Sequence, residues 1–480
     1  MSKQRDKHIR PINIITATDG YKLTHPAQFP KKMLAGSSYG EPRMGGRHNK
    51  VTVAGLRYVC ELIAASPATQ EDWDEAEEIF TERGYIATEG ADWEKDGWAY
   101  IVNELDGKLP VEIKVAPEGL ILPESNVIYT VDVTDENVPW LQGHIEGLIL
   151  QNAWFGTTVA THHRSCMEVI HEFMEKTSDR PEKEAFMLND FAFRGTSSYE
   201  SSATGSYAAS LGSNGTDTIS GVLLVRHMFP EFNGLAGYTI AAREHSTTTC
   251  YGTSLDGDLK AYENSIENFG KGLYACVMDS VDYKRSVDMV ADKLADRILA
   301  SGGTFVARPD SGSAIDNIMY ALGVLGKRFG YTYNTKGYKV LHPSVAIIQG
   351  DGLSKPKHFR AILNWMEANG WAACNVAFGM GGGLLQQLDR DWQRFAQKMC
   401  AINIDGIWED VYKATPGKES KRGRQMLYRD LLSGEYFTAR ADANMNSECI
   451  VEVLFTGFLN GVCTHKQTYE NATELANSWK

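Results

Sequence analysis

The chain has 480 residues, 43% of them hydrophobic and 23% charged, with a formal net charge of -13. Those are ordinary values for a globular protein, with room for two or three domains or for one large barrel with an elaborated partner. The acidic balance argues against bulk binding to nucleic acid, and no apolar run approaches the ~20 residues a membrane helix needs.

The amino-terminal residues are polar and lack the apolar core of a secretion signal. Eight cysteines are scattered without a CxxC pair, which points to reduced thiols in a cytoplasmic protein. Ile12-Asn13-Ile14-Ile15 reads as a short strand before the polar turn Asp19-Gly20-Tyr21-Lys22. The basic, glycine-bearing stretch from Arg43 to Lys50 is either solvated or aimed at an anion. Residues 51–105 carry helical spacing, with Leu56, Val59, Leu62 and Ile63 as a buried stripe and Glu71 to Glu78 as an exposed face. Val111 to Val115 and Ile128 to Val133 alternate as antiparallel strands. Trp140 to Met174 reads as one or two long helices. His162, His163 and His171 lie there without an HExxH spacing, so a solvated helix face is expected rather than a metal site.

From Ala185 the texture changes. Phe186 to Phe193 reads as a strand leading into Arg194-Gly195 and a small-residue helix, Ser197 to Leu211. Gly215-Thr216-Asp217-Thr218 follows, then a strand from Gly237 that ends in Glu244-His245. Four further apolar runs each stop at glycines, acids and small polar residues. They are Leu273 to Met278 before Asp279, Thr304 to Ala307 before Arg308-Pro309-Asp310-Ser311-Gly312, Val345 to Ile348 before Gln349-Gly350-Asp351-Gly352, and Asn375 to Phe378 before Gly379-Met380-Gly381-Gly382-Gly383. Helical patterns separate them, as in βαβ units with a parallel sheet. About six strands at roughly thirty-residue spacing fit an α/β fold with an irregular (β/α)8-type barrel. Ile402 to Ile404 and an amino-terminal piece are candidates for the missing strands. The barrel is expected over 181–399, and 1–180 together with 400–480 should form a second, mixed α+β domain. The basic run Lys413, Lys418, Lys421, Arg422 and Arg424 lies beyond the barrel.

Parallel sheets bind ligands outside the carboxyl ends of their strands, where Asp279, Arg308, Asp310, Asp351 and the glycines fall. Gly379 to Gly383 opens a helix, and free backbone amides reached past side-chain-free residues seat phosphate. Arg308, Arg390 and Lys398 are basic residues near that turn in the pattern, while the carboxylates suit Mg²⁺ or ribose hydroxyls. An anion seat with a carboxylate rim implies a phosphorylated sugar and a metal.

The motifs Asp19-Gly-Tyr-Lys22, Phe191-x-Phe-Arg-Gly195, Gly215-Thr-Asp-Thr218, Glu244-His-Ser-Thr247, Arg308-Pro-Asp-Ser-Gly312, Gln349-Gly-Asp-Gly352 and the Phe378 to Leu385 turn stand in one order. In that order and approximate spacing, over roughly residues 13 to 430, the chain resembles the nicotinate/nicotinamide phosphoribosyltransferase family of type II phosphoribosyltransferases. Within that family it looks like the enzymes that take the amide. The resemblance implies a homodimer whose sites straddle the interface. It implies transfer of phosphoribosyl from phosphoribosyl pyrophosphate to nicotinamide in NAD salvage, with Mg²⁺ held mainly through substrate phosphates. ATP would stimulate the reaction by phosphorylating His245, with Asp279 orienting its ring and Glu244 beside it.

By the same resemblance Phe191 and Tyr21 sandwich the pyridine, Tyr21 coming from the other subunit, and Asp217 reads the carboxamide. Arg194 and Arg308 lie near the ribose phosphate and the amide. Asp19, Asp310, Gly350, Asp351, Gly381 and Gly382 surround the sugar and its 5′-phosphate. Arg43, Arg390, Lys398, Lys413 and Lys418 attend the pyrophosphate or ATP, although each basic residue taken singly reads as a solvated charge. Four positions depart from the better-known members: Ala275 and Ala396 where serines stand, Thr239 for a serine, and Arg243 for a small residue. The lost hydroxyls are expected near the phosphates, weakening those contacts by ~1 kcal/mol each. A nicotinate-specific relative is opposed by Asp217, and a non-catalytic binding protein by the intact Glu244-His245, Asp279 and Arg308-Pro309-Asp310 set. A different phosphosugar barrel enzyme, an isomerase or aldolase, would need a catalytic lysine or base that has no evident place.

Overall fold

The computed structural model describes residues 9–350, 352–415, 419–443, 445 and 448–480. Asp351 and Lys418 therefore lie outside the described residues. The chain forms two compact units. One comprises Met1–Thr161, Leu224–Asn233 and Asp389–Trp479, and the other His162–Leu223, Gly234–Leu388 and Lys480.

The second of these units is built on seven parallel strands. They are β1 (Leu188–Asp190), β2 (Gly215–Thr216), β3 (Ala241–Ala242), β4 (Leu273–Val277), β5 (Thr304–Arg308), β6 (Val345–Gln349) and β7 (Val376–Met380). Their spatial order is β2-β1-β7-β6-β5-β4-β3. Read round the sheet, that is the chain order in a closed cycle except for the step from β2 to β3. A single parallel bridge between Gly215 and Tyr238, on the segment entering β3, makes that step. The fold is thus α/β with a curled parallel sheet, as the alternation of apolar runs and helical patterns predicts. The four later strands fall where the sequence puts them. Helices Tyr283–Met289, Ala314–Phe329 and Pro356–Ala368 follow β4, β5 and β6. Ser313 caps the second through its hydroxyl, and Gly330 follows its last residue with φ 86°, the side-chain and glycine boundaries expected of a helix between strands.

The other unit is mixed α+β. Its seven-stranded sheet runs Ile407–Asp410, Ala396–Ile404, Met33–Glu41, Tyr129–Val133, Val111–Val115, Phe455–Leu459 and Val462–Cys463, and neighbours pair antiparallel throughout. Segments from both ends of the chain therefore share one sheet. Ile402 to Ile404 belongs here, paired with Met33–Glu41, and does not complete the barrel. Ile12 to Ile15 is not a strand. The Asn13 side-chain oxygen accepts from the backbone N–H groups of Ile15 at 3.0 Å and Thr16 at 3.3 Å, an Asx turn that competes successfully with extension. Among the described residues, no helix is long and apolar enough to cross a membrane. Five of the eight cysteines, Cys60, Cys166, Cys276, Cys374 and Cys400, are free and buried.

His162 and His163 correct the expectation of a solvated helix face. They sit on Glu146–Thr177 at 1% and 2% exposure. The His163 Nε2 lies 2.9 Å from Ser213 Oγ. Burial pushes the His163 imidazole down to about 3 and that of His144, whose Nε2 meets Ile15 O at 3.0 Å, to about 4. The His465 ring, packed edge-on to Phe455, is likewise lowered by burial to about 3.

A depressed pKa means that these rings stay neutral in the fold while the unfolded chain takes up protons below about 6.5. Their contribution is complete above that pH and lost as pH falls toward 4 and then 3. Urea unfolding should show stability falling from pH 6.5 to 4 by up to roughly 1.4 kcal/mol per pH unit for each histidine. His163→Gln should flatten that slope. A slope equal to the parent's would place the proton uptake elsewhere.

Candidate active site

At the carboxyl end of the curled sheet, short strands hand over to loops that carry the polar side chains. His245 follows β3 and opens the five-residue helix His245–Thr249. Asp279 follows β4. The His245 Nε2 lies 3.0 Å from Asp279 Oδ1, and the second oxygen of Asp279 accepts from the Ser311 hydroxyl. The other imidazole nitrogen, Nδ1, is 4.0 Å from Asp310 Oδ2. The ring is half-exposed while its Asp279 partner is almost covered. A carboxylate fixed by a second donor thus holds one nitrogen and leaves the other on the open side. Glu244 ties down the same turn: its N–H donates to Thr247 Oγ1 at 3.2 Å and its carbonyl accepts from Thr248 Oγ1 at 3.1 Å. Its carboxylate receives the Ser246 hydroxyl and lies 3.9 Å from the exposed Arg194 guanidinium.

Arg308 ends β5. Its Nε approaches Asp310 Oδ1 only to 3.7 Å and has no hydrogen-bond partner among the described residues. A largely buried guanidinium so placed favours an incoming anion or carbonyl. Gly350 lets this pair lie flat on the backbone, since a Cβ there would come within 2.5 Å of Asp310 Oδ1 and 3.2 Å of Arg308 Cδ. Gly195 similarly brings its backbone against Gly382, where a Cβ would lie 2.9 Å from the Gly382 nitrogen. That contact sets Arg194 beside the glycine turn. The helix expected after Gly379–Gly383 is a single turn, Gly382–Leu385, too short to present a helix dipole.

Inside the sheet is a cavity of about 520 Å³, within the range of small-molecule sites. Its lining runs from the first residues of the strands, Leu273, Thr304 and Val345, to Arg308, Asp217 and Phe191 at the other end. The interior is hollow because Ala275 and Ala377 are small. Ala275 packs with Val306 and Ile348, and Phe191 closes over that cluster. Ala275 therefore shapes the apolar wall under an aromatic ring, which corrects the expectation that its missing hydroxyl concerns the phosphates. Asp217 receives the Thr239 hydroxyl on Oδ1, and its N–H donates to Asp190 O at 2.9 Å. Asp190 is itself buried, its carboxyl raised by desolvation, and it accepts from Ala192 N–H and the Thr216 hydroxyl. Ser311, which donates to Asp279, carries no signal in the sequence beyond its place inside a motif, and Thr239, which donates to Asp217, stands out only as a replacement for a serine.

The remaining candidates lie in the other unit. Asp19 precedes the 3-10 turn Gly20–Thr24, and Tyr21 is 65% exposed, its ring edge-on to His25. The neighbouring Lys22 is buried and anchors the turn by an ion pair of 2.6 Å to Glu146. Arg43 donates to Arg394 O at 2.8 Å. Lys398 faces Tyr39 across the sheet, and its pKa is lowered by burial, then by Arg43 and, more weakly, Lys413. Those three cations are therefore gathered, with Lys421 paired to buried Glu41 beside them. Arg390 is exposed, 3.8 Å from Asp391. Among the described residues no group of three His, Cys, Asp or Glu side chains is placed to hold a metal ion.

The sequence pattern of the Nicotinate phosphoribosyltransferase (NAPRTase) family matches residues 186–448. That of the Nicotinamide phosphoribosyltransferase N-terminal domain matches residues 13–113. A nicotinamide phosphoribosyltransferase of Xanthomonas campestris pv. campestris is 40% identical over 437 residues, 90% of each chain. One from Mycoplasma pneumoniae is 27% identical and covers 85% of this chain and 94% of its own. In structure the chain resembles the nicotinate-nucleotide pyrophosphorylase of Pyrococcus furiosus, with a TM-score of 0.62 at 15% identity over 99% and 97% of the two chains. It also resembles human nicotinic acid phosphoribosyltransferase, at 0.59 and 14% over 96% and 93%. At those identities the likeness concerns the fold alone.

The close fit of Phe191 to the backbone gives a test. A Cβ on Gly379 would fall 2.1 Å from Phe191 Cε2 and 2.2 Å from Cδ2. Gly379→Ala should displace the ring and cost ~1–3 kcal/mol in urea unfolding. A variant as stable as its parent, with Phe191 unmoved in a crystal structure, would show that the ring does not depend on that glycine.

Proposed function

Because the chain belongs to the nicotinate phosphoribosyltransferase family, we propose that it joins nicotinamide to the ribosyl carbon of phosphoribosyl pyrophosphate, giving nicotinamide mononucleotide and pyrophosphate. Membership makes it a phosphoribosyltransferase; the choice of pyridine rests on Asp217. This carboxylate shares the cavity wall with Phe191 and Arg308 and is engaged on one oxygen by Thr239. Its second oxygen can accept the carboxamide N–H of a ring lying on Phe191. A nicotinate carboxylate in that position would meet a like charge, a penalty of ~4 kcal/mol at about 4 Å for an effective dielectric of about 20, or roughly a thousandfold in affinity. Arg308 faces the same space with an unpartnered Nε and suits the carboxamide oxygen.

Bond formation uses the pyridine nitrogen lone pair, so no general base is required. The ribosyl carbon passes through an oxocarbenium-like state, and what the chain supplies is placement of charge. Asp310 is the carboxylate for the ribose hydroxyls, and the backbone around Gly350, Gly381 and Gly382 the seat for the 5′-phosphate. Mg²⁺ in this reading travels with the pyrophosphate as part of the substrate, and it supplies countercharge to the leaving group.

His245 is the residue that ATP phosphorylates in this reading. With Nε2 held at Asp279, Nδ1 is the nitrogen that carries the lone pair for attack. It attacks the terminal phosphorus, the bond to the bridging oxygen breaks, and ADP leaves with that electron pair. The Nε2 proton stays between the ring and Asp279, whose carboxylate offsets the ring's gain of positive charge. Tyr21, exposed in its own unit, stacks on the pyridine from a second copy, and the cations Arg43, Lys398 and Lys413 attend pyrophosphate or ATP in a homodimer. Free thiols suit a cytoplasmic enzyme of NAD salvage.

Turnover on amide and acid, each with and without ATP, tests this reading. Strong preference for nicotinamide is expected, and preference for nicotinate would overturn the assignment. Asp217→Asn should narrow the discrimination at least tenfold, of the roughly thousandfold expected from charge alone; unchanged selectivity would mean that another residue reads the amide. His245→Ala should abolish stimulation by ATP while slow basal transfer persists. Equal loss of both would contradict the role given to the histidine.

A further inference from the structure

The helix that presents His245 is five residues long, and the strand before it, β3, has only two residues at the sheet's edge. Neither element holds its own geometry: an isolated turn of helix is unstable, and a two-residue edge strand has few ladder bonds. Something else must keep His245 at its distance from Asp279. From the contacts around this turn we infer that Arg243 is a positioning residue for the histidine, an inference that rests on the phosphohistidine reading given above.

Arg243 is 9% exposed. Its backbone N–H donates to Ala275 O at 3.0 Å, on β4. Its guanidinium fans out to three acceptors. Nε donates to Ser265 Oγ at 2.6 Å, one terminal nitrogen to Asn264 Oδ1 at 2.6 Å, and the other to the carbonyl of Thr247. The same cation lies 5.4 Å from the centre of the Tyr251 ring. Thr247 and Tyr251 bracket the far side of the turn that Glu244 and His245 open, so one side chain clasps it from within.

Asn264 and Ser265 belong to the fifteen-residue helix Leu255–Phe269. That helix also holds the Asp279 side of the pair: the Tyr262 hydroxyl donates to Val277 O at 3.0 Å, at the end of β4. Asp279 follows two residues later. Both partners are thus referenced to one rigid helix, His245 through Arg243 and Asp279 through Tyr262. A planar fork with five donors can satisfy three acceptors at fixed angles, and the single ammonium of lysine cannot. An arginine is needed here because the turn is short and its strand shorter. Arg243 touches no reacting atom. It sets the angle of the imidazole that does.

The test measures phosphoryl on the intact protein, using ATP labelled at the terminal phosphorus, as acid-labile and base-stable label per subunit. The parent should take up label and His245→Ala should not; no label in the parent would remove the phosphohistidine itself and this inference with it. Given labelling in the parent, folded Arg243→Lys should carry at least roughly threefold less and Arg243→Ala roughly tenfold less, in keeping with the cost of small misplacements in group transfer. Free guanidinium ion should restore part of the label to Arg243→Ala, which a general loss of packing would not allow. Parent-level labelling of Arg243→Lys would overturn the inference. A deficit in folded Arg243→Ala that guanidinium does not relieve would count against it as well. Should the alanine variant fail to fold, the lysine variant decides alone.

Discussion

The interior of the curled sheet is kept open by what its inward positions lack. A ring of parallel strands ordinarily fills with layers of branched side chains. Here Ala275 and Ala377 line the middle of the strands, and Gly379 has no side chain to hold Phe191 off the backbone. Removing that volume leaves a cavity that reaches the carboxyl ends of the strands. Asp217 and Arg308 line that space together with Phe191. The same economy appears at Gly350 and Gly195, where the absence of a Cβ lets the Arg308 and Asp310 pair and the Gly382 backbone approach. Close approach of backbone to neighbouring groups is the physical reason such positions take glycine.

Around the hollow centre, charge is arranged in relays rather than pairs. Ser311 donates to Asp279, which holds His245, and Thr239 donates to Asp217. In each a hydroxyl engages one oxygen of a carboxylate, and at Asp279 the other oxygen meets His245. A carboxylate with both oxygens free would rotate about its terminal bond, so the hydroxyl converts an available acceptor into an aimed one. Below Asp217, the buried Asp190 accepts two donors of its own and binds Asp217 to the sheet through its carbonyl. The loops are irregular, but their side chains are tied to regular elements within one or two hydrogen bonds.

The later strands of the barrel were legible in the sequence because their cores are continuous apolar runs cut off by glycine and aspartate. Of the two edge strands, Ala241–Ala242 lies inside the strand read from Gly237 but is only two residues long, and Gly215–Thr216, also two residues, is shorter than any period that hydropathy can register. Ile402 to Ile404 had the composition of a barrel strand, yet composition cannot say which sheet a strand will join. It pairs in the sheet of the other unit. His162 and His163 looked like the polar face of a helix, but imidazole tolerates burial when neutral and hydrogen-bonded, as His163 is to Ser213. Arg243 stood out as a departure from the family and was unreadable as to purpose, since two of its three acceptors are about twenty residues away on the helix Leu255–Phe269. The site's chemistry was written in motifs. Its scaffolding was written in contacts distant along the chain.

Proteins whose names concern nicotinate share the chain's architecture at about 15% identity, a likeness of fold alone. A choice between amide and acid needs a group whose interaction changes sign between them, and a charge does that at the cost of a single side chain. A neutral acceptor at position 217 would still bind the amide N–H, but it would repel the acid weakly. In the proposed reading the negative charge of Asp217 makes the discrimination, and the Thr239 hydroxyl, by engaging one oxygen, leaves the other to act. On that reading the substrate is decided by the electrostatics of a few atoms at one end of the cavity.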